Sequence, residues 1–165
     1  MAAFLSSCYS VSHYSGDGRL VDRGRSAATD RYILDLGEVD LKKHGIFTYR
    51  LENLPSEYFV IGIEIEAPSE KRTLLDRKFI KPIILIELIG SQDETIIQDQ
   101  SSLDVWTWSV RATDNKAFVY RREQPSTFFE PITKKRYELR IETVQPDLSE
   151  FRYTARLLAK AGGWK

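Results

Sequence analysis

Hydrophobic and polar residues alternate with a period of two through most of this chain, and that alternation sets the first expectation of its architecture. Tyr32, Leu34 and Leu36 alternate with Ile33 and Asp35 before Gly37 breaks the run. Phe47, Tyr49 and Leu51 share one face, with Thr48, Arg50 and Glu52 opposite. Phe59, Ile61, Ile63 and Ile65 line another, backed by Gly62, Glu64 and Glu66. Successive side chains of a strand point to opposite faces, so each run reads as a half-buried strand. Gly45 before the second run, and Asn53-Leu54-Pro55-Ser56 after it, supply the turn chemistry of a hairpin.

The run Ile83–Ile89 is apolar on both faces and rich in β-branched residues, which suits a central strand. Val105–Arg111, Ala117–Arg121, Arg136–Val144 and Phe151–Ala159 follow, each alternating. In the last two, Arg136, Glu138, Arg140, Glu142, Arg152, Thr154 and Arg156 fall on the outer face. Tyr137, Leu139, Ile141, Phe151, Tyr153, Ala155 and Leu157 fall on the inner one. Opposite charges on a solvated face pair across strands for a few tenths of a kcal/mol each. No segment carries a helical stripe over three turns, and there is no internal repeat. The expectation is an all-β protein, an antiparallel β-sandwich of about eight strands over residues 29–165.

Residues 9–28 contain Ser15-Gly16-Asp17-Gly18 and Arg23-Gly24-Arg25-Ser26 without an apolar period, and read as a flexible N-terminal leader. Composition fits one ordinary globular domain: 165 residues, 42% hydrophobic, 12% aromatic and 29% charged. Lys plus Arg equals Asp plus Glu, 24 against 24. That balance argues against a nucleic-acid partner, because neutralising phosphates needs a net basic face. No apolar run approaches the length of a membrane helix; the longest cluster contains Glu87.

Candidate chemistry is sparse, and the expectation is a protein that is not an enzyme and uses no metal or cofactor. Of two histidines, His13 lies in the leader and His44 sits in the turn Lys42-Lys43-His44-Gly45, where a solvated turn residue is the simpler reading. There is no Gly-x-Ser-x-Gly elbow, no P-loop, no dinucleotide fingerprint and no zinc-ligand spacing. Gln92-Asp93-Glu94 with Asp99 in one loop, and Asp114-Asn115 in another, offer oxygen ligands for calcium. No helix-loop-helix pattern frames them, and polar turns explain them more simply.

Two further features bear on binding. Trp106 and Trp108 share one strand face and could form a platform for a sugar ring, although Val110 and Ala112 continue that face and favour core packing. The longest non-alternating connection, Ala67–Lys81, concentrates Lys71, Arg72, Arg77 and Lys78, a basic cluster able to steer an acidic protein surface.

The chain opens Met1-Ala-Ala-Phe-Leu-Ser-Ser-Cys8, which sets its only cysteine behind Leu5-Ser6-Ser7 and ahead of the polar stretch Tyr9–Arg25. The string Leu5-Ser6-Ser7-Cys8 resembles a bacterial lipobox, with residues 1–8 as the tail of a signal segment. The resemblance implies that Cys8 carries the lipid, the sole attachment to a membrane, and that the domain sits in the periplasm. If translation begins at Met1, the domain is expected in the cytoplasm. A lone cysteine excludes an intrachain disulfide framework.

With this start, the all-β body, Tyr32-Ile33-Leu34-Asp35-Leu36-Gly37 and the ending Ala161-Gly162-Gly163-Trp164, the chain resembles small lipoproteins of Gram-negative bacteria. In size and layout it is similar to the immunity proteins that neutralise phospholipase toxins delivered by type VI secretion. That resemblance implies a non-enzymatic, tethered module that binds and occludes a lipase-type toxin. A carbohydrate-binding or envelope-assembly lipoprotein is the alternative, with Trp106 and Trp108 as its platform.

Overall fold

The computed structural model describes residues 13–24, 30–68, 80–110 and 115–162. Among them the only regular elements are strands and one 3-10 turn. The strands are β1 (Arg19–Asp22), β2 (Tyr32–Glu38), β3 (Gly45–Glu52), β4 (Phe59–Glu66), β5 (Ile83–Gly90) and β6 (Thr95–Ser102). After the turn Leu103–Val105 come β7 (Thr107–Val110), β8 (Lys116–Tyr120), β9 (Phe128–Phe129), β10 (Arg136–Gln145) and β11 (Thr154–Ala161).

One sheet runs β1-β2-β11-β4-β8-β7, with β9 also paired to β4; the other runs β3-β10-β5-β6. Every pairing is antiparallel. Inward residues of both sheets merge into one core, including Leu34, Ile61, Ile63 and Leu157 from the first and Leu51, Ile84, Ile86, Leu88 and Leu139 from the second. This is the all-β, sandwich-like architecture that the alternation predicts, and the inner and outer assignments of β10 and β11 hold residue by residue.

The strand inventory differs from the expected eight in informative ways. β6 occupies a stretch read as a loop from sequence. Its inward positions are Ile97, Asp99 and Ser101, so polar residues on both faces erase the period-two signal. Asp99 is nonetheless buried and accepts a hydrogen bond from Ser101 Oγ at 2.6 Å. β9 is only two residues long. Gly37 does not end its strand. It sits at a bulge, where Leu157 pairs with Gly37 and Leu158 already with Asp35. Its φ of +100° is open to glycine at no steric cost.

The N-terminal leader also needs correcting, because residues 13–24 belong to the fold. β1 pairs with β2, and Tyr14 and Leu20 pack against the core. The exposed side of β3 offers backbone groups that this segment satisfies. Ser15 N–H donates to Glu52 O at 3.1 Å, and Asp17 N–H to Arg50 O at 2.7 Å. The Asp17 carboxylate in turn accepts from Arg50 N–H at 2.6 Å. Edge pairing plus two apolar anchors orders a segment whose own pattern is uninformative.

Ion pairs cross the outer faces as the alternation suggests: Arg140–Glu87 at 3.2 Å between β10 and β5, Arg136–Glu52 at 2.9 Å between β10 and β3, and Arg156–Asp35 at 2.7 Å between β11 and β2. These pairs are solvent-accessible, so Arg140→Ala is expected to cost less than about 1 kcal/mol in denaturant unfolding. A larger loss would mean that this face is covered.

Candidate functional site

At one end of the sandwich the β2–β3 turn meets the connection from β10 to β11. Val39 and Leu41 of the turn are buried in the core. The same turn is stiffened by Asp40, whose carboxylate accepts from Lys42 N–H at 2.9 Å. On the other side, Gln145-Pro146-Asp147-Leu148-Ser149 leaves β10, and Asp147 N–H donates to Leu41 O at 2.8 Å. Asp147 therefore lies directly against the turn, with a side chain only 4% exposed.

A buried carboxylate must be compensated, and here four donors converge on it. Ser149 donates through Oγ at 2.6 Å and through its backbone N–H at 3.3 Å. Tyr153 Oη donates at 2.9 Å and Lys42 Nζ at 3.3 Å. Lys42 also donates to Ser149 O at 2.6 Å and sits over the Tyr153 ring, 5.0 Å from its centroid. Burial by itself favours the neutral acid, but Ser149, Tyr153 and Lys42 outweigh it and hold Asp147 below the ordinary carboxylate range. Burial, reinforced by the Asp147 charge, pushes the Tyr153 hydroxyl far above its ordinary value.

These directions decide what the cluster can do. Tyr153 stays protonated and Asp147 stays ionised, so neither is poised to exchange a proton near neutral pH. Ser149 points its hydroxyl at an acceptor already shared by three other donors, and no base frees it to act as a nucleophile. The cluster acts as a clasp between two loops. Beside it opens a cleft of about 380 Å³, lined by residues 38–42, Phe47 and residues 153–155.

The clasp also fixes what lies between its members. Leu148, flanked by Asp147 and Ser149, is 85% exposed. Ile46, 59% exposed, is the second residue of β3, at the same end of the second sheet. An apolar side chain held out on a rigid loop is the form that binding anchors take, because little entropy remains to be lost on docking.

None of the residues expected from sequence is among those that form the clasp. Cys8, Lys71, Arg72, Arg77 and Lys78 lie outside the described residues. Trp106 is 2% exposed, and its Nε1–H donates at 2.8 Å to Ser101 Oγ, which itself donates to Asp99. Trp108 is half-buried against the core and donates to Leu103 O at 2.8 Å. With Trp106 buried, the two indoles do not form an open sugar platform. Trp106 precedes β7 rather than lying within it, and Val110 is exposed because β7 is an edge strand.

The first of the two loops offered for calcium does not gather its ligands, since Asp99 points into the core from β6 while Asp93 and Glu94 stay in the β5–β6 turn; Asp114 of the second lies outside the described residues. Among the described residues no three His, Cys, Asp or Glu side chains gather as metal ligands. His44 is exposed, with Nδ1 3.3 Å from Thr143 O. No described helix is long and apolar enough to cross a membrane.

The sequence reading placed Lys42 in a turn and Tyr153 on an inner face but did not join them with Asp147 and Ser149 as a site. Asp147-x-Ser149 after a proline is a turn signal, but Lys42 stands 105 residues from Asp147, and nothing local joins them. Comparison with known proteins finds no family model that matches the chain and no match among curated proteins.

Proposed function

We propose that this protein is a non-enzymatic protein-binding module whose docking surface is the clasped end of the sandwich. The observation that carries the proposal is the Asp147 clasp, which spends four hydrogen bonds on a loop whose outward residue is the exposed Leu148. A clasp with no acid–base capacity, holding an apolar anchor beside an open cleft, suits recognition better than turnover. In its sharpest form this is an immunity protein that occludes a lipase-type toxin, tethered through Cys8 and steered by the basic residues of the Ala67–Lys81 connection.

Leu148→Asp tests the docking surface. It is expected to weaken binding to the product of the adjacent gene by about 2 kcal/mol or more in calorimetric titration, with an unchanged melting temperature. Full affinity in this variant would move the binding surface elsewhere. Failure of the wild-type protein to bind that product would remove the immunity reading.

A further inference from the structure

We infer that β6 is the strand through which two copies of this chain join, its outer edge, unpaired among the described residues, pairing antiparallel with itself across a two-fold axis at Gln100. β6 ends its sheet, and no described strand pairs with its far side. Leu103 N–H donates to Pro82 O at 3.0 Å, which sets the direction of the backbone groups just after the strand. Because these directions alternate along a strand, Asp99 and Ser101 point their N–H and C=O groups at β5, and Gln98, Gln100 and Ser102 point theirs outward. The side chains of Gln98 and Gln100 are exposed on the outer face of the sheet.

Sheet edges are normally defended by brevity, charge, proline or a covering segment. β1 and β7 are four residues long, and β3 is covered at Arg50 and Glu52 by the segment around Ser15 and Asp17. β6 is eight residues long and carries neither lysine nor proline. Its bulge lies at Ile96, between the pairs Leu88–Ile97 and Ile89–Thr95, which leaves Ile97–Ser102 regular. Its one ionisable side chain, Asp99, is turned inward and engaged by Ser101.

Charge then selects the register. An axis at Asp99 would set two carboxylates opposite each other, which is unfavourable. An axis at Gln100 sets Asp99 against Ser101 of the second copy, Gln98 against Ser102 of the second copy, and the two Gln100 side chains together. Each outward-facing pair in this register is a mutually hydrogen-bonded one, so the four-stranded sheet continues unbroken into its copy. The contact lies on the edge of the four-stranded sheet, with β5 between it and β10, and the inference does not rest on what binds at Leu148.

Analytical ultracentrifugation of the full chain over a wide concentration range is the test, and a reversible dimer is expected. Gln100→Pro removes an outward N–H while keeping the inward ladder to β5. Gln100→Lys sets two ammonium groups face to face at the axis. Each is expected to raise the dimer dissociation constant about tenfold or more with an unaltered far-UV spectrum. If the proline variant misfolds, the lysine variant alone decides. A wild-type protein that stays monomeric throughout overturns the inference, and so does a dimer that a folded Gln100 variant leaves equally tight.

Discussion

Leu139→Asp is expected to unfold the protein. Leu139 is fully buried on β10, the central strand that pairs with β3 through Tyr49 and with β5 through Leu88. A carboxylate there meets Tyr49 and Leu88 on the flanking strands and no cation to pair with, and its desolvation costs about 4 kcal/mol or more, a large part of the stability of a domain this size. The lost packing adds to that cost, since deleting a buried leucine side chain is itself worth about 2–5 kcal/mol. Ile61→Asp on β4 should do the same from the other sheet. The measurement is far-UV circular dichroism with thermal scanning, and a folded Leu139→Asp variant with a normal melting temperature would contradict the core assignment.

Asp147→Ala is the second large effect, and it separates stability from surface presentation. The substitution removes the acceptor shared by Ser149, Tyr153 and Lys42. Lys42 is partly exposed and can turn to water, whereas the buried end of Tyr153 cannot do so freely, so a loss of about 3 kcal/mol is expected. The loop carrying Leu148 should loosen as well, and partner binding should weaken although Leu148 remains. The clasp also predicts a pH dependence. The folded-state pKa of Asp147 is depressed, so its contribution is fully present above the unfolded value of about 3.9 and is lost as pH falls through the folded one. Denaturant unfolding at a series of acidic pH values should show that loss in the wild type and less of it in Asp147→Ala. Identical acid profiles would mean that Asp147 is not the group responsible.

The fold was legible where one face of a strand is apolar and the other polar. β2, β3, β4, β10 and β11 each bury an apolar row against the opposite sheet, and water imposes that pattern on the residue order directly. β6 was not legible, because its outer row is polar and its inner row carries Asp99 and Ser101. The ordering of residues 13–24 was hidden for a related reason. Its cause is the unsatisfied edge of β3 and the side of β2, which lie elsewhere in the chain.

The two tryptophans show the same division at the scale of single residues. Their spacing places both on one face of an extended segment, and core packing was the favoured reading. The 3-10 turn Leu103–Val105 then sinks Trp106 completely and leaves Trp108 half covered, with both indole N–H groups directed at partners within six residues. Geometry at the corner between the sheets, rather than spacing, set their exposure.

What the sequence determined by itself is the all-β class, the inward and outward faces of most strands, and the lack of motifs for common chemistries. These follow from local rules, because the period of a strand and the burial of apolar side chains act on neighbours along the chain. The tertiary structure alone decided the strand order, the pairing of β3 and β5 on either side of β10, and the clasp that sets Lys42 on Asp147. Those depend on contacts between residues far apart in the chain, where the free energy of one residue is fixed by a partner that its own neighbourhood does not specify.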